Sequence, residues 1–578
     1  MRIAILNKDK CKYRDCNYLC IRLCPKNKMG GKTVIVDPES QNPKPEINEE
    51  MCTGCGICAN RCPAEAIHII NLPDEIGTPI HQYGKNGFRL FNLPIPKKGV
   101  VGIIGKNGIG KSTTLKILSG QIKPNLSNIN SEDNWEDVIR YFRGNELQDF
   151  LLNVSKGEIK FSYKPQFVEG IRKLVKGKVR DVIKYDAQNF DAHRRNLLQE
   201  LNIDFLDNDV EELSGGELQK LAIYACLSKD ADMYLLDEPS SYLDVEERLN
   251  LAKVIGSIQD KFIFLVEHDM VLLDYLSDYI YVIFGKHGAY GIISNVKSTR
   301  IGINEYLDGF LKAENMRFRE GIKFEVIRAR NRKFPFLLAK YPSFTKTYGQ
   351  FKLAVDGGEI YKGQIIGVLG KNASGKTTFI KILAGVEMSD NNEVGVRLKI
   401  SYKPQYISII NAKVKQLNLS SDLIEKFSIK DMMEKNIDEL SGGELQKVAL
   451  VDCLSKDADI YLLDEPSAYL DVEERLNLAK FLRSFAGEKE KGIFVIDHDI
   501  LFIDYISDAL IVFERKKENI VDGHASSILP VRDGMNKFLK SVGITFRREI
   551  TTGRPRANKS GSVIDRGQKD KGEYYYAD

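Results

Sequence analysis

The sequence has no apolar run near the roughly 18–20 residues that a membrane-spanning helix needs. Its opening segment also lacks the apolar stretch and cleavage site of a secretory signal. A soluble, cytoplasmic protein with no membrane partner is therefore expected. Neither charge sign dominates: 84 Lys and Arg stand against 80 Asp and Glu, a net +4, so composition does not announce nucleic-acid binding. Two local basic groups remain, Arg317, Arg319, Arg328, Arg330, Arg332 and Lys333, and Arg547, Arg548, Arg554, Arg556 and Lys559. Either could be an ordinary solvated face. Tryptophan occurs once and histidine seven times. Cysteine is nearly absent beyond residue 62, where Cys226 and Cys453 read as buried structural thiols. A chain of 578 residues exceeds one core and implies roughly three to five domains.

The other eight cysteines form two runs. Cys52, Cys55, Cys58 and Cys62-Pro63 have the spacing of a bacterial ferredoxin loop for a 4Fe–4S cluster. In two-cluster ferredoxins the cysteine before proline ligates the other cluster. The first run, Cys11, Cys16, Cys20 and Cys24-Pro25, is spaced differently but also ends in Cys-Pro. A crossover is therefore expected: Cys11, Cys16, Cys20 and Cys62 for one cluster, Cys24, Cys52, Cys55 and Cys58 for the other. Zinc is the rival, since paired Cys-x2-Cys units also build tetrahedral sites. In a reducing cytosol disulfides are disfavoured.

Behind the cysteines, residues 213–253 and 440–480 match at all but six of 41 positions. Each copy belongs to a nucleotide-hydrolysis kit. Gly105, Lys106, Asn107, Gly108, Gly110, Lys111, Ser112 and Thr113 follow the apolar run 100–104. Gly370, Lys371, Asn372, Gly375, Lys376, Thr377 and Thr378 follow 365–369. A buried strand, a glycine-rich turn and a helix whose first amides face phosphate make a P-loop. Lys111 and Lys376 would neutralise the β- and γ-phosphates of ATP, and Ser112 and Thr377 would ligate Mg²⁺. Asp237-Glu238 and Asp464-Glu465 end apolar strands; the aspartates suit the metal side and the glutamates the attacking water. Tyr83 and Tyr341 are the aromatics expected to stack on adenine, with Phe88 and Phe344 as alternates.

The halves differ in one place. Lys111 to Gln166 spans 55 positions and Lys376 to Gln405 spans 29, leaving 26 extra residues in the first half. Trp135, Val138 and Phe142 recur at helical spacing there, and Gly144 breaks the pattern, predicting a helix–loop–helix over 131–157. Arg140, Arg143, Trp135 and Tyr141 could dock on RNA.

Leu213-Ser214 through Gln219, and Leu440-Ser441 through Gln446, resemble the signature motif of ABC ATPases. Gln166 and Gln405, each in Tyr-Lys-Pro-Gln, resemble that superfamily's Q-loop near Mg²⁺. His268 and His498 resemble its switch histidine, and Asp244 and Asp471 its D-loop. With the two cysteine runs, the one-sided insertion and the segment Thr552 to Lys559, the whole chain resembles the soluble E-class ABC ATPases, the Rli-type ribosome-recycling factors of the RNase L inhibitor family. The Gly572-to-Tyr576 ending looks more archaeal than eukaryotic.

The resemblance implies an α/β fold of two ABC-type P-loop domains head-to-tail, preceded by a small α+β two-cluster ferredoxin-like domain. The expected boundaries are 1–75 for the iron–sulfur domain, 76–291 and 321–540 for the nucleotide-binding domains, 292–320 and 541–556 for hinges, and 557–578 for a flexible tail. It also implies composite sites, Ser214 and Gly216 completing the Lys376 site, and Ser441 and Gly443 the Lys111 site. The implied work is ATP-driven splitting of ribosomes, with a release factor or Pelota-type factor, by a monomer that stays on the small subunit. Initiation factors are further implied partners. A transporter ATPase needs no cysteine module, and a repair ATPase would carry a long coiled coil. F-class translation factors lack the cysteine module. A redox enzyme would use the clusters for electron transfer, but no flavin fingerprint is present.

Overall fold

The computed structural model describes residues 2–575, apart from 9, 14, 37–42, 72–76, 130–134, 186–190, 323–333, 391–397, 406–411, 516–521 and 550–551. It divides into two compact units. The first comprises 1–241, 256–268 and 277–322; the second comprises 242–255, 269–276 and 323–578.

The first unit is built on one mixed sheet. Strands run in the order His81–Gln82, Arg89–Phe91, Tyr290–Ile293, Tyr279–Lys286, Gly99–Ile104, Phe262–Val266, Met233–Asp237 and Phe161–Lys164. The last five are parallel to their neighbours, and their near-continuous apolar runs are what a sheet covered on both faces requires. Gly99–Ile104 lies centrally and feeds the P-loop, whose helix Lys111–Leu118 starts at its carboxyl end. Two strands away, Asp237 pairs with Val266 in register, which brings the acid pair to the same edge. Crevices at the carboxyl ends of such strands are where open α/β sheets bind ligands.

The inserted residues fold as the helices Trp135–Tyr141 and Leu147–Lys156. Val138, Phe142, Leu147 and Leu151 are buried in the core of this unit, with Trp135 packed partly against it. Arg140, Tyr141 and Arg143 remain exposed. The docking set expected from sequence thus loses Trp135 in part, because its large apolar face is drawn to the core.

The cysteine-rich segment pairs Arg2–Leu6 antiparallel with Ile67–Asn71 and wraps three short helices around its cysteines. Asn86 fastens it to the rest of the unit. The Asn86 side chain accepts from the Ile47 amide at 2.8 Å and donates to the Ile47 carbonyl at 2.9 Å and to Glu49 at 3.0 Å. Its own carbonyl accepts from the Leu6 amide at 2.9 Å. The backbone there is left-handed, at φ 55°, a conformation asparagine tolerates better than most residues. The expected first hinge also folds: helix Thr299–Asp308 and a short hairpin carry Arg319, whose guanidinium lies 4.9 Å from the Tyr306 ring centre. Arg319 is therefore part of local packing; Arg328, Arg330, Arg332 and Lys333 lie outside the described residues.

The second unit repeats the sheet: Phe344–Tyr348, Phe351–Val355, Asp522–Ala525, Ala509–Arg515, Ile365–Gly370, Gly492–Ile496, Ile460–Asp464 and Ile400–Lys403. The tail expected to be flexible is ordered through Tyr575. Phe546–Arg548 pairs with Pro555–Ala557, and helix Val563–Lys571 follows. Polar residues hold it: Thr545 donates to Asp565 at 2.7 Å, and Asn558 donates to Thr545 at 2.9 Å. Tyr575 is buried and donates to Asp504. Nor do Arg554 and Arg556 form a solvated face. Both bond Asp274, Arg554 at 2.6 Å and Arg556 at 2.6 and 2.8 Å, with Arg554 and Asp274 fully buried. Removing one member of such a buried pair costs about 3–5 kcal/mol.

Candidate nucleotide-hydrolysis and cluster sites

Each P-loop turn needs glycine where its helix begins. Gly110 has φ 99° and a side chain there would strike the Phe88 ring at 2.7 Å; Gly375 has φ 100° and would strike Leu353 at 2.8 Å. Lys111 folds back on its own loop, donating to the carbonyls of Gly105 at 2.9 Å and Lys106 at 2.7 Å. Lys376 does the same with Gly370 and Lys371, both at 2.7 Å. Burial lowers the Lys376 pKa to about 8, so an anion in the loop would restore a charge the interior disfavours.

The acid pair is held alike in both halves. Gln166 donates to the Glu238 carboxylate at 2.8 Å, and Gln405 to Glu465 at 2.7 Å. His268 and His498 place Nε2 3.4 Å from the same carboxylates. His268 also reaches Asn107 Oδ1 at 3.0 Å, which ties the switch position to the P-loop. Burial would raise the Glu238 pKa, but His268, Lys111 and Gln166 outweigh it and bring it down to about 2. Glu465 is lowered for matching reasons. The neighbouring aspartates move the other way: burial, then the adjacent glutamate, raises Asp464 to about 6, and burial raises Asp237. Environments that push two adjacent acids apart assign them different tasks.

The metal-side residues fit Mg²⁺, a cation that takes hard oxygen ligands. Ser112 hydrogen-bonds Asp237, and Thr377 donates to Asp464 at 3.0 Å. Asp237 Oδ1 is buried without a hydrogen-bond partner. Gln166 and Gln405 use their amide nitrogens on the glutamates, so their amide oxygens are the atoms left for metal chemistry.

The signature serines start helices Gly215–Leu227 and Gly442–Ser455. Each closes a capping box, with Glu217 or Glu444 returning to the serine amide. Gly216 and Gly443 lie in the first turn. Asp244 accepts from the Asn372 amide of the second P-loop at 2.7 Å, and Lys371 pairs with Glu246 at 2.6 Å; all four belong to the second unit. Asp471 caps the helix Val472–Lys489.

The aromatic expectation holds its geometry on one side and fails on the other. Tyr83 is 46% exposed and its hydroxyl lies 3.3 Å from Thr113. Tyr341 is 2% exposed, locked in the core beside Phe379, and cannot present a face to adenine. Phe344 is buried there too. Tyr348 occupies the place of Tyr83: it is 42% exposed and its hydroxyl bonds Thr378 and Glu387. The duplication itself carried the signal, since Tyr83 precedes Gly105 by 22 positions and Tyr348 precedes Gly370 by 22.

The eight cysteines ring two cavities. Cys24, Cys52, Cys55 and Cys58 line one of about 350 Å³. Cys11, Cys16, Cys20 and Cys62 line another of about 380 Å³. Burial pushes the Cys20 thiol up to about 12 and Cys58 to about 11, with neighbouring cysteines adding to the effect. Thiolates crowded there need cationic partners, which iron of a cluster would provide. Among the described residues, no group of three or more His, Cys, Asp or Glu is placed to hold a metal ion directly. Four thiols around a larger cavity suit a cluster better than zinc. Cys226 and Cys453 are buried elsewhere, each against a serine hydroxyl.

Among the described residues no helix is long and apolar enough to cross a membrane. A model described as ABC transporter matches residues 88–241 and 356–468. A 4Fe-4S binding domain matches 45–68, and a possible Fer4-like domain in RNase L inhibitor matches 1–32. The chain is 50% identical to an uncharacterized ABC transporter ATP-binding protein of Methanocaldococcus jannaschii, over 100% of this chain and 98% of that protein. It is 41% identical to translation initiation factor RLI1 of Saccharomyces cerevisiae, with the same coverage. A solved model of ribosome-bound archaeal Pelota and ABCE1 is similar at TM-score 0.92 and 48% identity, covering 100% of this chain and 99% of that one. An archaeal ribosome recycling factor, aABCE1, solved with the ribosomal stalk protein aP1, is similar at TM-score 0.81 and 47% identity, covering 88% and 100%.

Proposed function

The chain belongs to the ABC transporter E family, the RNase L inhibitor family of ABC ATPases, and from that premise we propose that it is an ATP-driven ribosome-recycling factor. The observation that carries this reading is the union, in one chain, of two complete ATPase kits with a two-cavity cysteine module, along the full length of relatives that act in translation.

ATP binds with its phosphates over Lys111 and Lys376 and its adenine against Tyr83 and Tyr348. Ser214 with Gly216 and Ser441 with Gly443 each complete the opposite site. Mg²⁺, held by Ser112, Asp237 and Gln166 or by Thr377, Asp464 and Gln405, would neutralise charge on the phosphates. Glu238 and Glu465, already ionised, orient and deprotonate the attacking water, and His268 and His498 hold these carboxylates in place. Nucleotide binding closes the two sites and hydrolysis reopens them.

Cys24, Cys52, Cys55 and Cys58 hold one 4Fe–4S cluster and Cys11, Cys16, Cys20 and Cys62 the other. They staple a segment too small to fold on its own core. Closure drives that stiff domain against a release factor or Pelota-type factor and parts the subunits. The protein then stays on the small subunit, where the exposed Arg140, Tyr141 and Arg143 suit RNA, and where initiation factors follow. This work is cytoplasmic and is done by a monomer.

Sedimentation tests the small-subunit step. Protein with Glu238→Gln and Glu465→Gln, incubated with ribosomes and ATP, should migrate with small subunits in a sucrose gradient. Migration at the top of the gradient, with ATP bound, would overturn it.

A further inference from the structure

A lysine without a role in the chemistry above lies beneath each acid pair. Lys164 ends strand Phe161–Lys164 and is 0% exposed; Lys403 ends Ile400–Lys403 and is 1% exposed. A buried ammonium costs several kcal/mol unless its donors are used. These donors point at peptide carbonyls. Lys164 Nζ donates to the carbonyl of Asp237 at 2.9 Å and of Glu238 at 3.1 Å. Lys403 Nζ donates to Asp464 at 2.8 Å, to Glu465 at 3.4 Å and to Pro404 at 3.2 Å.

Those carbonyls belong to the two peptide groups that flank the α-carbon of the water-side glutamate. The backbone at that α-carbon is left-handed in both halves, φ 47° at Glu238 and 48° at Glu465. A non-glycine residue pays about 1–2 kcal/mol for that conformation and keeps it only where its surroundings fix it. The fixing groups come from two sides. Gln219, in the signature helix, donates to the carbonyls of Glu238 and Pro239, both at 2.8 Å; Gln446 repeats this at 2.7 and 2.8 Å. In the first half Tyr163 also reaches the Asp237 carboxylate at 3.4 Å. One short segment, Tyr163 to Gln166, thus grips side chains and backbone of the acid pair together.

We propose that Lys164 and Lys403 are positioning residues for ATP hydrolysis, each locking the left-handed peptide that aims Glu238 or Glu465 at the attacking water. The proposal rests on the reading of those glutamates as the water-side acids and deepens it. The lysine touches neither nucleotide nor water, so its loss should act on turnover through the glutamate and leave ATP binding nearly intact.

The test is steady-state ATPase activity of the full chain carrying Lys164→Met and Lys403→Met, with melting temperature measured alongside. Turnover should fall at least about tenfold while KM for ATP stays within about threefold. Added to Glu238→Gln and Glu465→Gln, the lysine changes should cost less than about a further threefold, because groups acting through one another are not additive. Turnover within about threefold of the unaltered protein, or a loss carried by KM, would overturn the proposal. So would full multiplication of the two losses. Lys164→Gln with Lys403→Gln, which keeps one shorter donor, covers failure of the methionine protein to fold. Its turnover per bound ATP should be reduced, and an unreduced value overturns the proposal. Full turnover by the glutamine-for-glutamate protein alone would instead sink the underlying glutamate assignment, and the proposal with it.

Discussion

The side-chain amide of Gln166 donates to the carboxylate of Glu238 at 2.8 Å, and Gln405 and Glu465 repeat the contact at 2.7 Å. The amide fixes the direction of a carboxylate whose pKa, about 2 for Glu238, keeps it ionised throughout the neutral range. A general base held this way contributes about 10²–10⁴-fold. Glu238→Gln with Glu465→Gln should therefore lower phosphate release by about that factor while ATP still binds. Undiminished multiple-turnover release would remove the base from both sites.

Tyr348, and not Tyr341, should carry adenine binding in the second half. An aromatic contact is worth about 0.5–1.5 kcal/mol, so Tyr348→Ala should weaken ATP binding there about two- to tenfold, with little change in melting temperature. Tyr341→Ala should do the reverse, since it empties a core position at a cost of about 3–5 kcal/mol. Equilibrium binding of ATP and thermal melting of the two variants separate the cases. Normal binding by the Tyr348 variant would reject the assignment.

Metal binding at the second site should depend on pH. Burial and Glu465 hold the Asp464 pKa near 6, above its ordinary value of 3.8. With no metal bound, the stability that Asp464 contributes is full below its unfolded pKa and is lost as pH rises through about 6. Mg²⁺ needs the ionised form and relieves that loss. Mg²⁺ with ATP should therefore raise the melting temperature more at pH 7.5 than at pH 5, and affinity for Mg²⁺ should weaken about tenfold at pH 5. Asp464→Asn should flatten the dependence. An equal shift at both values would contradict the reading.

The two cavities divide the cysteines across the runs, and paired substitutions expose the division. Cys24→Ser with Cys52→Ser strikes one cavity and should leave one cluster, about four iron atoms per chain. Cys11→Ser with Cys24→Ser strikes both and should leave none. Iron analysis and absorbance of the purified proteins decide it. Retention of one cluster by the second variant would mean that each run holds its own.

Much of the chemistry was legible because it sits in contiguous motifs. The P-loops, the acid pairs and the signature serines each need neighbours in sequence, and the structure sets them at matching strand ends. Tyr348 was not legible as a motif, because one aromatic resembles another, and the buried Tyr341 lay equally close upstream. Its register against Gly370 was the better guide. The tail misled for a different reason. Polar composition suggests a solvated segment, yet Asn558, Asp565 and Gln568 spend their polarity on one another and on Thr545 and the Phe546 backbone. Likewise Arg554 and Arg556 read as surface charge until Asp274, some 280 positions earlier, is placed between them. Partners that distant leave no local pattern.

The most direct test is light scattering from assembled ribosomes that carry a release factor or Pelota-type factor, mixed with this protein and ATP. Ribosome splitting predicts a fall in scattering to the level of separated subunits, dependent on ATP and absent when Lys111 and Lys376 are both replaced by alanine. An unchanged signal while phosphate release proceeds normally would contradict it.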